Sequence, residues 1–230
     1  MPRSARVVLP HHAYHVTQRG HNHCALFETD RDRRFFLTLI GELKQQSLCR
    51  VSAYCLMTNH VHLLLTPKEK DGAGQLMKRL GQRYVQYINR TYKRSGTLWE
   101  GRFRSCLARE ENYILSCYRY IELNPVRAKI VDHPAEYRWS SYRANAQGET
   151  LPFIRPHGLY VYLGRNACRR EQAYRELFRN QLDPGMVDEI RHATNGNYAL
   201  GSERFRQEVE IALGRRARPG RPGRPTVQVS

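Results

Sequence analysis

The 230-residue chain reads as an α+β fold, a small antiparallel sheet with helices on one face, of ferredoxin-like type. Three observations predict it. Through residue 123 the segments run strand, helix, hairpin, helix, strand, helix. Two central strand segments meet across a tight Thr58-Asn59 turn, a connection open only to antiparallel strands. The helical segments carry one apolar stripe each, the pattern of an element covered on one side.

Taken in order, AYHVTQR (13–19) is rich in β-branched and aromatic residues and stops at Gly20, so it reads as a strand. DRDRRFFLTLIGELKQQS (30–47) places Phe36, Leu39, Ile40 and Leu43 at helical spacing, with Asp30 as the expected N-cap. VSAYCLM and HVHLLLT form the hairpin at 51–66, closed by Pro67. Residues 74–92 are a second helix with Leu76, Leu80, Tyr84, Tyr87 and Ile88 on its apolar side. RSGTLWEG is turn-rich, and RFRSCLA (102–108) suits a fourth strand. EENYILSCYRYIEL (110–123) is a third helix, ended by Asn124-Pro125. This first unit spans residues 1–145, with ANAQGETLP as the boundary. A small helical module follows over 150–213: a helix at 170–181, a second opened by Asp183-Pro184 and stopped by Asn195-Gly196, and a third capped by Ser202. The last stretch, 214–230, contains GRRARPGRPGRP, which has no acids and cannot pack a core, so it reads as a flexible basic tail.

The formal net charge is +17, an excess that favours polyanionic partners, nucleic acid before an anionic membrane surface. No segment approaches the roughly 20 apolar residues of a membrane span, and the start lacks a signal-peptide stretch. The expectation is a soluble cytoplasmic, nucleoid-associated protein. The six cysteines form no CxxC pair and read as small core residues in a reducing compartment, not as a thiolate zinc site.

The chemistry concentrates in CLMTNHVHLLLTP (55–67). In a strand, residues i and i+2 face the same way, so His60 and His62 stand side by side, roughly 6–7 Å apart at the backbone, and can converge on one metal ion, while Val61 and Leu63 point into a core. Among 10 histidines such a pair arises easily by chance, and His21-Asn22-His23 is a second one, read as surface. Partners elsewhere decide. In ENYILSCYRYIELNPVRA (111–128), Ile114, Tyr118, Ile121 and Pro125 line the core stripe. Tyr120 and Asn124 are one turn apart on another face, shared with Tyr113 and Ser116. A phenol and an amide so placed suit a nucleophile and an oxygen ligand.

These residues resemble a known family. NHVHLLLTP is similar to the His-hydrophobe-His motif of the HUH single-strand nucleases, and RYIELNPVRA to the catalytic helix of their single-tyrosine branch. YHVTQRG, LMTNHVH, LWEGRFRS and WSSY fit the REP-associated tyrosine transposases. The resemblance covers about residues 10–145 and implies an HUH nuclease fold. It implies that His60 and His62 bind a divalent metal, Mg²⁺ or Mn²⁺, that Tyr120 is the nucleophile, and that Asn124 holds the position of a third ligand that is glutamine in the insertion-sequence relatives. Asparagine is one methylene shorter, so direct ligation and action through a water both stay open. The activity implied is metal-dependent cleavage and rejoining of single-stranded DNA through a 5′-phosphotyrosine, at a hairpin of the REP type.

Arg19, Arg102 and Arg104 flank the site segments and are candidate contacts to the DNA backbone; a solvated face is the alternative for each. Arg218, Arg221 and Arg224 resemble a short minor-groove hook, with a non-specific basic arm as the alternative. Three competing functions are a non-catalytic hairpin-binding protein derived from a transposase, a nuclease that uses water as nucleophile, and an RNA-binding protein. Intact His60, His62 and Tyr120 argue against the first. The second needs a nearby base, and Glu122 lies about 200° from Tyr120 on the helical wheel. No RNA motif supports the third. Monomer and homodimer both remain open.

Overall fold

The computed structural model describes residues 6–219. In chain order the elements are β1 (Ala13–Arg19), α1 (Asp30–Gln46), β2 (Cys49–Leu56), β3 (His60–Pro67), α2 (Gly72–Thr91), β4 (Arg104–Ala108), α3 (Glu111–Glu122), α4 (Asn124–Arg127), α5 (Tyr142–Gln147), α6 (Gly158–Tyr162), α7 (Ala167–Glu176), α8 (Pro184–Gly196), β5 (Ala199–Leu200) and α9 (Glu203–Leu213). The sheet order is β2-β3-β1-β4-β5. The first four strands pair antiparallel, and β5 joins β4 in parallel.

Local chemistry accounts for the element starts. Thr29, not Asp30, caps α1. Asp32 at the third helical position accepts a hydrogen bond from the Thr29 N–H at 2.8 Å, completing a capping box. Asp183 and Ser202 cap α8 and α9 as the sequence predicts, accepting from the N–H groups of Met186 and Phe205.

Register sets the site. Antiparallel pairing puts Thr17 opposite His62, Arg19 opposite His60, and on the other flank of β1, Cys106 opposite His15 and Arg104 opposite Thr17. Directly opposed residues share a face. His15, Thr17, Arg19, His60, His62, Arg104 and Cys106 therefore form one contiguous patch. Helix α3 packs on this face against β2 and β3, and α8 packs against β1 and β4.

The α+β class stands, but helices cover both faces of the sheet, not one. Val61, Leu63 and Leu65 alternate with His60, His62 and Leu64, so they point away from α3, yet they are fully buried. Helices α1 and α2, packed on each other and on β2 and β3, cover that side. A strand buried on both faces has no polar face to show, which is why β3 reads as a nearly unbroken apolar run.

The expected boundary near residue 148 does not divide the core. Gly148 ends α5 in the left-handed region at φ 75°. The chain then returns to the sheet, where Arg155 N–H donates to the Val51 carbonyl at 2.8 Å beside the irregularity in β2 at Val51/Ala53. Tyr160, Tyr174, Ile190, Leu200 and Phe205 belong to the same buried cluster as the strands. The basic tail also begins packed. Ala217 is buried, and its carbonyl accepts from Ala199 N–H at 2.8 Å. Arg218 pairs with Glu203 and Glu210 of α9, so in the structure its charge is engaged by carboxylates. Arg221 and Arg224 lie outside the described residues.

Four of the cysteines (Cys49, Cys55, Cys106 and Cys117) are buried, Cys24 is half-buried and Cys168 is exposed; all six are free thiols. No helix among the described residues is long and apolar enough to cross a membrane.

Candidate active site

Strands β1 and β3 and helices α3, α4 and α8 enclose a cleft of about 350 Å³. His15, Thr17, Arg19, His60, His62, Tyr120, Asn124, Arg127, Arg191, Thr194 and Asn195 all border it. His60, His62, Tyr120 and Asn124, named from sequence alone, thus meet in one place. The His60 and His62 rings lie 4.9 Å apart between centroids and nearly perpendicular at 87°. The Tyr120 ring sits 5.8 Å from His62, edge to face. Its neighbour two residues earlier, Tyr118, is fully buried and uses its hydroxyl to accept from His157 N–H at 3.0 Å.

Both imidazoles are held neutral. Burial is the main cause, with the positive charges of Arg19 and Arg127 adding to it, and it lowers His60 to about 4 and His62 well below the ordinary value of 6.5. Neutral rings keep a lone pair for a metal ion. The His60 Nδ1 sits 2.7 Å from Asn59 Oδ1. An amide oxygen can only accept, so Nδ1 carries the proton and Nε2 is bare. Asn124 turns its Nδ2 back to the Tyr120 carbonyl at 3.1 Å and the Ile121 carbonyl at 3.4 Å. That leaves Oδ1 as the amide's donor atom. Among the described residues no three His, Cys, Asp or Glu side chains gather as a metal site. The donor set that fits a divalent ion is two neutral imidazoles and one amide oxygen.

Sequence reasoning missed several residues of the cleft. Arg127 donates to the Tyr120 carbonyl at 2.7 Å and stacks over the Tyr120 ring with its Cζ 4.2 Å from the centroid. It stands seven residues beyond Tyr120, two helical turns, so NPVR held a signal for it. His15 is 1% exposed and touches His62; its alternation with Thr17 and Arg19 in YHVTQR was the available signal. Thr194 and Asn195 come from α8, with no motif to mark them.

The three candidate DNA-contacting arginines are brought together. Arg19, Arg102 and Arg104 line a small adjoining pocket with Thr17 and Asn195. Arg104 donates to Asn195 Oδ1 at 2.8 Å, whereas Arg19 and Arg102 are exposed. Glu122, fully buried, bonds to Ser141, Asn145 and Tyr174 on the far side of α3, so it is not placed to serve the cleft as a hydrolytic base.

Fold and site together define an α+β protein in which a His-x-His strand faces a tyrosine helix. The chain belongs to the IS200-like transposase family, whose model matches residues 9–124, half of its length. Over 140 residues it is 26% identical to a candidate REP-associated tyrosine transposase of Haemophilus influenzae, an alignment covering 54% of this chain and 80% of that one. It also resembles the solved structure of a REP-associated tyrosine transposase bound to a REP hairpin, with a TM-score of 0.55 and 15% identity over 68% of this chain and 92% of that one. At that identity the likeness speaks for the fold.

Proposed function

We propose that the protein cuts and rejoins single-stranded DNA beside REP-like hairpins through a covalent bond to Tyr120. The observation that carries this reading is the position of the Tyr120 ring, 5.8 Å from His62 in an open, arginine-rimmed cleft. Membership in a transposase family and likeness to a hairpin-bound relative support the substrate class.

In the forward step the Tyr120 phenol loses its proton and its oxygen bonds to phosphorus. The bond from phosphorus to the 3′ oxygen breaks, and that oxygen leaves as a hydroxyl. The 5′ phosphate stays on the tyrosine, so the bond energy is kept and a free 3′ hydroxyl can reverse the step on another strand. A model-peptide tyrosine has a pKa near 10, so the free side chain is mostly protonated at neutral pH and a poor nucleophile. His60, His62 and Asn124 would hold a divalent ion, Mg²⁺ or Mn²⁺, which supplies charge to the phosphate and to the leaving oxygen. Arg127 fixes the last turn of α3 and lays positive charge on the tyrosine ring. Arg19 and Arg102 offer cations to the neighbouring phosphates.

The test is incubation with single strands labelled at the 3′ end, containing a hairpin and its flanks, with Mg²⁺ or Mn²⁺, followed by a denaturing protein gel. A labelled protein band that survives Tyr118→Phe and disappears in Tyr120→Phe and His62→Ala is expected. Nicked DNA with no protein-bound label would replace this reading with hydrolysis, and tight hairpin binding without nicking would replace it with a binding module.

A further inference from the structure

Behind the two histidines of the cleft lies a third that the proposed chemistry does not use. His15 Nε2 is 2.8 Å from His62 Nδ1, and His15 Nδ1 is 2.9 Å from Thr194 Oγ1. The His15 and His62 rings have planes only 15° apart and centroids 5.0 Å apart. With nitrogens 2.8 Å apart, such rings meet edge to edge in nearly one plane, the alignment of a good N–H···N bond. All three side chains are buried.

The proton positions follow from a donor count. Thr194 Oγ1 lies 2.7 Å from the Ile190 carbonyl. A carbonyl only accepts, so the single hydroxyl proton of Thr194 points there. A second acceptor, Cys106 Sγ at 3.2 Å, is on offer to the same proton. In either case Thr194 has no proton left for His15, so His15 Nδ1 must donate to Thr194. A neutral ring has one N–H, so His15 Nε2 is an acceptor and His62 Nδ1 must donate to it. The His62 proton is thereby fixed on Nδ1, and Nε2 is bare.

We propose that His15 is a positioning residue which, anchored by Thr194 of α8, presents the bare Nε2 of His62 to the cleft as a metal donor. This rests on the metal reading given above. Buried ring-to-acceptor bonds of this kind orient ligand imidazoles and set their tautomer. The relay crosses from β3 to β1 to α8, so a helix late in the chain acts on the site through His15. If the anchor is lost, buried His15 keeps only the sulfur of Cys106, a weak acceptor, in place of the hydroxyl. The favourable response is for His15 to move its proton to Nε2 and donate to His62, which drives the His62 proton to Nε2 and blocks the donor atom.

The experiment has two readouts on full-length protein. Long-range ¹H–¹⁵N spectra of metal-free, ¹⁵N-histidine-labelled protein report which ring nitrogen of each histidine is protonated. Calorimetry reports Mn²⁺ affinity. Wild type is expected to show His62 protonated at Nδ1. His15→Phe is expected to lose that single form and to weaken Mn²⁺ binding roughly 10–100-fold. Thr194→Val is expected to move the His62 proton to Nε2 with a smaller affinity loss, and Thr194→Ser, which keeps the hydroxyl, is expected to match wild type. The valine and serine pair decides the matter if His15→Phe does not fold. A wild-type His62 protonated at Nε2, or a Thr194→Val protein with unchanged tautomer and affinity, would overturn the proposal. Wild-type protein that takes up no Mn²⁺ while showing the Nδ1–H form would remove the metal assignment and uphold the relay.

Discussion

Helix α3 separates two buried polar networks that are built alike and finished differently. On one side Glu122, fully buried, receives Ser141 at 2.6 Å, Asn145 at 2.7 Å and Tyr174 at 2.7 Å. Every partner there is another protein group, and the cluster ties α5 and α7 to α3. On the other side His15, His62 and Thr194 are as deeply buried, but the chain of hydrogen bonds ends at a ring nitrogen facing a cleft. A buried network closed on itself fixes structure; one that stops at a bare donor atom is poised for a ligand. Both also shift proton affinity. Burial raises Glu122 to about 7 and lowers His62 well below its ordinary value, the same cause acting on opposite charges.

The largest effect is expected at the open network. His62→Ala should reduce strand cutting by roughly 1,000-fold or more, since it removes a ligand of the proposed ion, and circular dichroism should show the fold retained. Cutting within tenfold of wild type would mean the two networks do not differ as described. Next comes Glu122→Ala, which strands three buried donors and should cost about 3 kcal/mol. That corresponds to a fall of roughly 6–12 °C in melting temperature for a chain of this size. Glu122→Gln is gentler and sharpens the contrast through pH. The folded protein holds the Glu122 proton up to about 7, against 4.5 for the free group. Its contribution to stability is therefore greatest below pH 4.5 and declines as pH rises to 7. Urea unfolding should lose roughly 1–3 kcal/mol from this group across that window, and Glu122→Gln should flatten the loss; equal slopes in the two proteins would show that Glu122 is not the titrating group. The smallest effect is Tyr118→Phe, which removes the partner of His157 N–H. About 1 kcal/mol of stability and no change in cutting are expected.

What the sequence made legible was periodicity. The stripes of α1, α2 and α3, the Thr58-Asn59 turn and the i, i+2 spacing of His60 and His62 each follow from one element's own geometry, and so does the one-turn spacing of Tyr120 and Asn124. What it hid was pairing between elements. His15 sits in an ordinary-looking strand, and only the register of β1 on β3 puts it beside His62. β5 is two residues long, too short for any pattern, yet it carries the C-terminal segment onto the sheet edge. Thr194 is one polar residue in an amphipathic helix, and nothing local tells it from a solvated threonine. The second helical layer was in view: Val61, Leu63 and Leu65 make one side of β3 wholly apolar, Leu64 continues the run beside His60 and His62 on the other, and a run of that kind asks for cover on both faces.

The contact between His15 and Thr194 joins residues 179 positions apart. A nascent chain exposes both histidines of β3 and then Tyr120 while α8 is still to be made. Closing so long a loop is a late event in folding. A polypeptide halted by a premature stop before residue 184 would carry the histidine pair and the tyrosine with nothing to anchor His15. The ribosome must therefore have added α8 before this face of the sheet is whole.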